Sequence, residues 1–169
     1  MKKLSVPLLK QKKLACGPTA LSMVLQYFGK EVSPEEIVKK IGGLKKSGIK
    51  TIKLADFAKS LGFKVECYSY NEKLAKGKAK IKKPTKYDII KFLGKGLPVI
   101  IAVRSFILFN KKYSGHGHFI VITKYEKGKF WYNDPWGEKE HIINEDNLMF
   151  AWFNNVLDSS AYLLVLQPK

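Results

Sequence analysis

The stretch LKQKKLACGPTALSMVLQYFG, Leu9 to Gly29, sets a single cysteine, Cys16, where a lysine-rich approach gives way to helix formers. Leu21, Val24, Leu25 and Phe28 recur at i, i+3, i+4 and i+7, which is one face of a helix, and Gly29 is a natural stop. Gly17 lets the backbone turn tightly, and Pro18 has the φ preferred in a first helical turn. The Cys16 sulfur is therefore expected at a helix N-terminus, where unpaired N–H groups and the macrodipole favour an anion. A cysteine that only fills a core needs no such setting.

At 169 residues the chain fits one domain, 1–169, and 46% hydrophobic residues suffice for a core. No run approaches the roughly 18 apolar residues of a membrane span. Lys10, Lys12 and Lys13 interrupt the N-terminal stretch, which argues against a secretory signal and for a cytoplasmic chain. Lys plus Arg number 31 against 14 acids, a net charge of +17, yet Arg104 is the one arginine. Readers of nucleic acid rely on arginine forks, whereas lysines supply point charges. The excess thus suggests solubility or weak attraction to an anionic membrane surface, at the inner face, rather than a nucleic-acid partner. Cys16 and Cys67 carry no CxxC or HxxxH spacing, so no metal is expected; Cys67 reads as a packed strand residue.

Along the chain, VSPEEIVKKIGG is a helix with Ser33 as N-cap, Pro34 first and Gly42 as stop. TIKLADFAKSLG is a third helix. FKVECYSY alternates as a half-buried strand, with Phe63, Val65 and Cys67 on one side. Seven lysines between Lys73 and Lys86 read as a solvated loop or frayed helix, an insertion at about 72–86. YDIIKFLGKG is a short helix and LPVIIAVRS a buried strand. HFIVITKYEKGKFWYNDP is a hairpin turning at Glu126 to Lys129, NEDNLMFAWFN a helix, and SAYLLVLQ the last strand. Helices come first and strands last, which is the α+β class with a mainly antiparallel sheet.

A thiolate nucleophile needs an imidazole to take and return a proton. His118 opens an apolar strand and is better held than His116, the reserve, in the glycine-flanked SGHG; His141 has no such context. The imidazole needs a third group to fix its tautomer. Residues 118 and 134 flank a centre at 126, near the Gly128 turn, so Asp134 is expected directly across the hairpin from His118. An oxyanion needs donors: the Cys16 backbone N–H is one, and the Gln11 side chain, five residues upstream, is a second.

PLLKQKKLACGPTALSMVLQYFG followed by GHFIVITKYEKGKFWYNDPWG resembles the papain-like cysteine peptidases of the bacteriocin-processing, double-glycine leader type, especially their stand-alone relatives. GIKTIKLADFAKSLGFKVECYSY resembles that family's middle helix and following strand, and the likeness spans about residues 5 to 137. It implies a papain-like fold, with N-terminal helices packed on the sheet. It also implies a Cys16–His118–Asp134 triad with Gln11 as oxyanion donor, no cofactor, and a peptide or protein substrate. The well-known members are domains of export ATPases, whereas this chain carries no Walker motif, so cleavage of leader peptides does not follow from the likeness alone. Two other readings keep to the same residues: an amide hydrolase or acyl transferase using the triad, or a non-catalytic basic module binding peptide or membrane. The chain's own Gly42–Gly43 is read as a helix stop.

Overall fold

The computed structural model describes residues 1–112 and 115–169. In chain order its elements are α1 (Cys16–Tyr27), α2 (Pro34–Lys40), α3 (Thr51–Ser60), β1 (Lys64–Ser69), α4 (Glu72–Ala75), β2 (Lys80–Ile81) and α5 (Lys86–Leu93). There follow β3 (Val99–Arg104), α6 (Ser105–Leu108), β4 (Gly117–Glu126), β5 (Lys129–Asp134), β6 (Lys139–Asn144), α7 (Glu145–Val156) and β7 (Leu163–Gln167). The seven strands form one sheet in the order β2-β1-β7-β3-β4-β5-β6, antiparallel except for the β1–β2 pair. This is the expected α+β arrangement.

Helices cover both faces of the sheet, and that corrects the reading of β1. Cys67 packs with Ala20, Leu54 and Leu164 on the α1/α3 side, while its neighbour Tyr68 packs with Phe92, Trp152 and Val165 on the α5/α7 side. A strand end covered from both sides does not show polar alternation. The same holds for α1. Gly17 through Leu25 are all buried, because the helix lies between α2, α3 and β4 rather than exposing one face. Its buried hydroxyl at Ser22 donates to the Val32 carbonyl at 2.6 Å. The lysine-rich segment is also more ordered than expected. Asn71 caps α4 through Leu74 N–H, β2 pairs parallel to β1, and Lys82 meets the buried Asp88 at 2.5 Å.

Gly17 serves a purpose that differs from the expected turn. It lies outside the left-handed region, but a Cβ there would meet Ile49 Cγ2 at 2.6 Å and Leu54 Cδ1 and Phe119 Cδ2 at 3.1 Å. The residue is small because α1 starts in close contact with α3 and β4. Gly17→Ala is expected to lower stability by about 1–2 kcal/mol, overpacking outweighing the roughly 1 kcal/mol helix-propensity gain of alanine. The urea midpoint reads this directly, and an unchanged or raised midpoint would show the contact to be loose.

The hairpin turn is two residues, Lys127 and Gly128, both at positive φ (48° and 74°), closing the pair Glu126↔Lys129. That is the primed turn geometry that matches strand twist. An irregularity between Ile122 and Lys124 then shifts the ladder, so that Val121 faces Asn133. Continuing that register puts Asp134 opposite Ile120. His118 and Asp134 are diagonal neighbours, two residues apart along the ladder, and not the directly facing pair expected from a centre at 126. Diagonal positions remain within reach of long side chains.

Candidate active site

α1 begins at Cys16 with Ala15 as an N-cap that offers no side-chain oxygen, and its first turn holds no acid. The N–H groups of this helix start are thus left for whatever lies in front of it. Leu14, two residues earlier, sits at φ 63°, an uncommon conformation for a non-glycine residue just where the chain enters the helix. Cys16 itself is partly exposed.

β4 carries His118 to this sulfur. The imidazole hydrogen-bonds Cys16, and the backbone N–H groups of Phe119 and Gly17 also reach it. His118 Nε2–H donates to Asp134 Oδ1 at 2.7 Å, which leaves Nδ1 to meet the sulfur. His118 and Asp134 are 3% and 2% exposed, so their pairing is nearly dry. Asp134 Oδ1 also accepts from the Trp136 backbone N–H at 2.9 Å, which ties the carboxylate to the turn after β5.

The electrostatics follow from these contacts. Burial acts to raise the Cys16 thiol, but the hydrogen bond and charge of His118, with the two backbone N–H groups, outweigh it and leave the thiol below its ordinary value. Burial acts to lower His118, yet the hydrogen bonds to Asp134 and Cys16 and their charges raise it to about 9. Each shift favours thiolate beside imidazolium. Cys67 is the contrast: burial pushes it up to about 12.

Gln11 arrives by its main chain. Its backbone N–H donates to the Pro135 carbonyl at 2.8 Å, stapling the N-terminal loop to the turn that follows Asp134. Its side-chain NH2 makes only a 3.4 Å contact to the Lys12 carbonyl, and its Oε1 is buried without a partner. Gln11 is not among the groups that hydrogen-bond the sulfur. His116, the reserve candidate, is exposed ahead of His118 and meets Ser105 Oγ only through its carbonyl, at 3.4 Å.

Sequence reasoning passed over five neighbours. His141, on β6, stacks on Tyr132 with ring centroids 5.1 Å apart, and its Nε2 lies 3.9 Å from Asp134 Oδ2. The β5–β6 register that brings it there, Tyr132↔His141, has no signature in KEHIIN. Phe109 and Trp136 flank the His118 ring at centroid distances of 5.7 and 6.4 Å, and Lys111 lies over both of their rings. Arg104 braces the approach to His118. Its guanidinium donates to the Gly115 carbonyl at 2.8 Å and the Asn154 carbonyl at 3.1 Å, and pairs with Asp158. Among the described residues no cluster of His, Cys, Asp and Glu is arranged to hold a metal ion, and no helix is long and apolar enough to cross a membrane.

Solved structures share this architecture. A C39-like peptidase of Bacillus anthracis superposes with a TM-score of 0.74 at 16% identity, covering 100% of this chain and 99% of its own. The peptidase domain of Streptococcus ComA, a bifunctional ABC transporter involved in quorum sensing, gives 0.65 at 18% identity, with 97% and 99% covered. A double-glycine-motif protease from an AMS/PCAT transporter, solved in complex with the leader peptide, gives 0.61 at 23% identity, with 99% and 94% covered. No curated protein matches the chain. These likenesses show the fold, and the family model of the C39-like peptidases matches residues 3–158, nearly the full length. A thiol at an uncapped helix start, facing an imidazole on this fold, therefore belongs to a member of the peptidase C39-like family of cysteine peptidases.

Proposed function

We propose that this protein hydrolyses peptide bonds through Cys16, His118 and Asp134, with Gln11 and the Cys16 backbone N–H holding the oxyanion, and that residues 1–169 act as one catalytic unit. The single observation that supports the reading is the unbroken chain of contacts from sulfur to imidazole to carboxylate, with Nε2 to Oδ1 at 2.7 Å. The Cys16 thiolate attacks the scissile carbonyl carbon and the carbonyl electrons move to oxygen. His118 gives its Nδ1 proton to the leaving amine as the C–N bond breaks, which leaves an acyl-thioester. Water, losing a proton to the now neutral imidazole, attacks that thioester; the acid leaves and the thiolate–imidazolium pair returns. Asp134 holds the ring in the tautomer that presents Nδ1 and steadies its positive charge. Gln11 is anchored beside Asp134 with its NH2 weakly committed, as a donor that tightens only on a developing oxyanion requires. A relative bound to its leader peptide makes such leaders the first substrates to test for this chain.

Intact-mass labelling with iodoacetamide across pH tests the site. Cys16, lowered from its ordinary value, is expected to react at pH 6–7, while Cys67, pushed up to about 12, stays unlabelled in the folded protein. Equal, slow labelling of both thiols at neutral pH, or peptide cleavage that survives Cys16→Ala, would overturn the proposal.

A further inference from the structure

The side of the site beyond His118 carries a charge that the triad does not use. Phe109 and Trp136 both lie beside the imidazole, at centroid distances of 5.7 and 6.4 Å, and Trp136 is 62% exposed, so it borders open space rather than core. The Lys111 ammonium lies 5.6 Å from the centre of the Phe109 ring and 5.5 Å from that of Trp136. Aromatic faces hold a cation in place without neutralising it. Seven of the 31 lysine and arginine side chains form ion pairs within the described residues, among them Lys3 with Glu140, Lys12 with Glu35, Lys82 with Asp88 and Arg104 with Asp158, so an unpaired lysine is common here and the aromatic frame is what sets Lys111 apart. Lys111 has no carboxylate partner among the described residues. Asp134 is buried, with its Oδ1 occupied by His118 and Trp136 N–H, and Glu138, in the Trp136 turn, forms no ion pair with Lys111.

We propose that Lys111, framed by Phe109 and Trp136, is a carboxylate-binding subsite for the leaving-group side of the substrate. The inference rests on the peptidase reading above and deepens it by naming the substrate class: peptides with a carboxylate one or two residues past the scissile bond. The side follows from the chemistry. The imidazole delivers its proton to the leaving nitrogen, so the departing half of the peptide lies over His118, and the rings packed beside that imidazole, Phe109 and Trp136, line its path. The carboxylate has two sources, an Asp or Glu side chain or the free C-terminus of a short departing fragment, and both offer the same anion to the ammonium.

Two measurements test this. The first compares alkylation of Cys16 by iodoacetate and iodoacetamide, reagents of similar size of which the first is an anion and the second neutral. Lys111→Gln is expected to lower the iodoacetate-to-iodoacetamide rate ratio about 3- to 10-fold at low ionic strength. Salt at about 1 M should bring the wild-type ratio down toward that of the variant. Lys30→Gln, beyond the far end of α1, leaves the ratio unchanged. The second scans amidated peptides with Glu, Gln or Lys at the first and second leaving-side positions, beside a Gln peptide with a free C-terminus. The Glu peptide is expected to lead in kcat/KM, Lys111→Glu to reverse the order toward Lys, and the free-acid peptide to reveal whether the terminal carboxylate serves as well. An alkylation ratio indifferent to Lys111, or equal cleavage of all peptides, overturns the subsite. If no peptide is cleaved but the ratio still depends on Lys111, the anion site beside Cys16 stands, and the hydrolytic reading falls together with the leaving-side assignment.

Discussion

His118→Ala is expected to reduce peptide turnover about 10³-fold or more, since in the proposed cycle one residue supplies both the proton acceptor and the proton donor. The pH dependence carries more information than the loss itself. In the wild type the thiolate exists above the lowered value of Cys16, and the imidazolium persists up to about 9. Turnover therefore rises from acid as the thiolate forms and falls above pH about 9, where His118 no longer holds a proton for the leaving amine. The two limbs belong to the pair and not to either residue alone. With His118 gone, the hydrogen bond and charge that lowered Cys16 go too, and burial is left to push the thiol up. Labelling of Cys16 at pH 7 should then slow sharply and rise only at alkaline pH, without a break near 9. An unchanged labelling profile in His118→Ala would mean that the helix start and the backbone N–H groups, rather than the imidazole, hold the thiolate.

The largest stability loss is expected at Trp152. This side chain is fully buried on the α5/α7 side of the sheet, stands edge-on to Tyr162 at 5.5 Å, and donates its indole N–H to the Tyr162 carbonyl at 3.0 Å. Trp152→Ala removes an aromatic core residue and leaves that carbonyl short of a donor, a loss of about 3–5 kcal/mol from a total of the order of 5–15. For a chain of this length that lowers Tm by on the order of 10 °C. Phe150→Ala, on the same helix but 62% exposed, is expected to stay within about 0.5 kcal/mol. The consequence reaches the site, because α7 also carries Asn155, whose side-chain oxygen would lie 3.1 Å from a Cβ at Gly117, and the Asn154 carbonyl that receives Arg104. Loosening α7 thus loosens the residue that precedes His118. Thermal denaturation of the two variants decides the matter, and similar Tm values for both would mean that the Trp152 site repacks.

Features written in local chemistry were legible from the residues alone. Ser33 and Glu36 form the reciprocal cap of α2, with bonds of 3.2 and 2.9 Å, as the SPEE pattern implies. Cys16 heads α1, and the Lys127–Gly128 turn folds the hairpin that brings residues 118 and 134 together. The direct cross-strand pairing failed because the two-residue turn centres the hairpin between Lys127 and Gly128 rather than at 126, and the irregularity near Thr123, of which apolar alternation carries no sign, recovers only one residue of that offset. His141, Phe109 and Lys111 were missed for a related reason. Each reaches the site through tertiary register or a loop, and a lysine in a lysine-rich chain or a histidine in KEHIIN is locally ordinary. Gly17 was singled out correctly but for the wrong cause, since only the neighbouring Ile49, Leu54 and Phe119 reveal the lack of room.

The place of β7 bears on how the protein is made. The final strand lies in the middle of the sheet, between β1 and β3, so the two halves of the sheet join only through it. During translation Cys16 leaves the ribosome before residues 163–167, and the seam of the sheet that carries His118 closes only when those residues have followed. A nascent chain therefore presents the Cys16 thiol before the sheet that holds His118 beside it is complete.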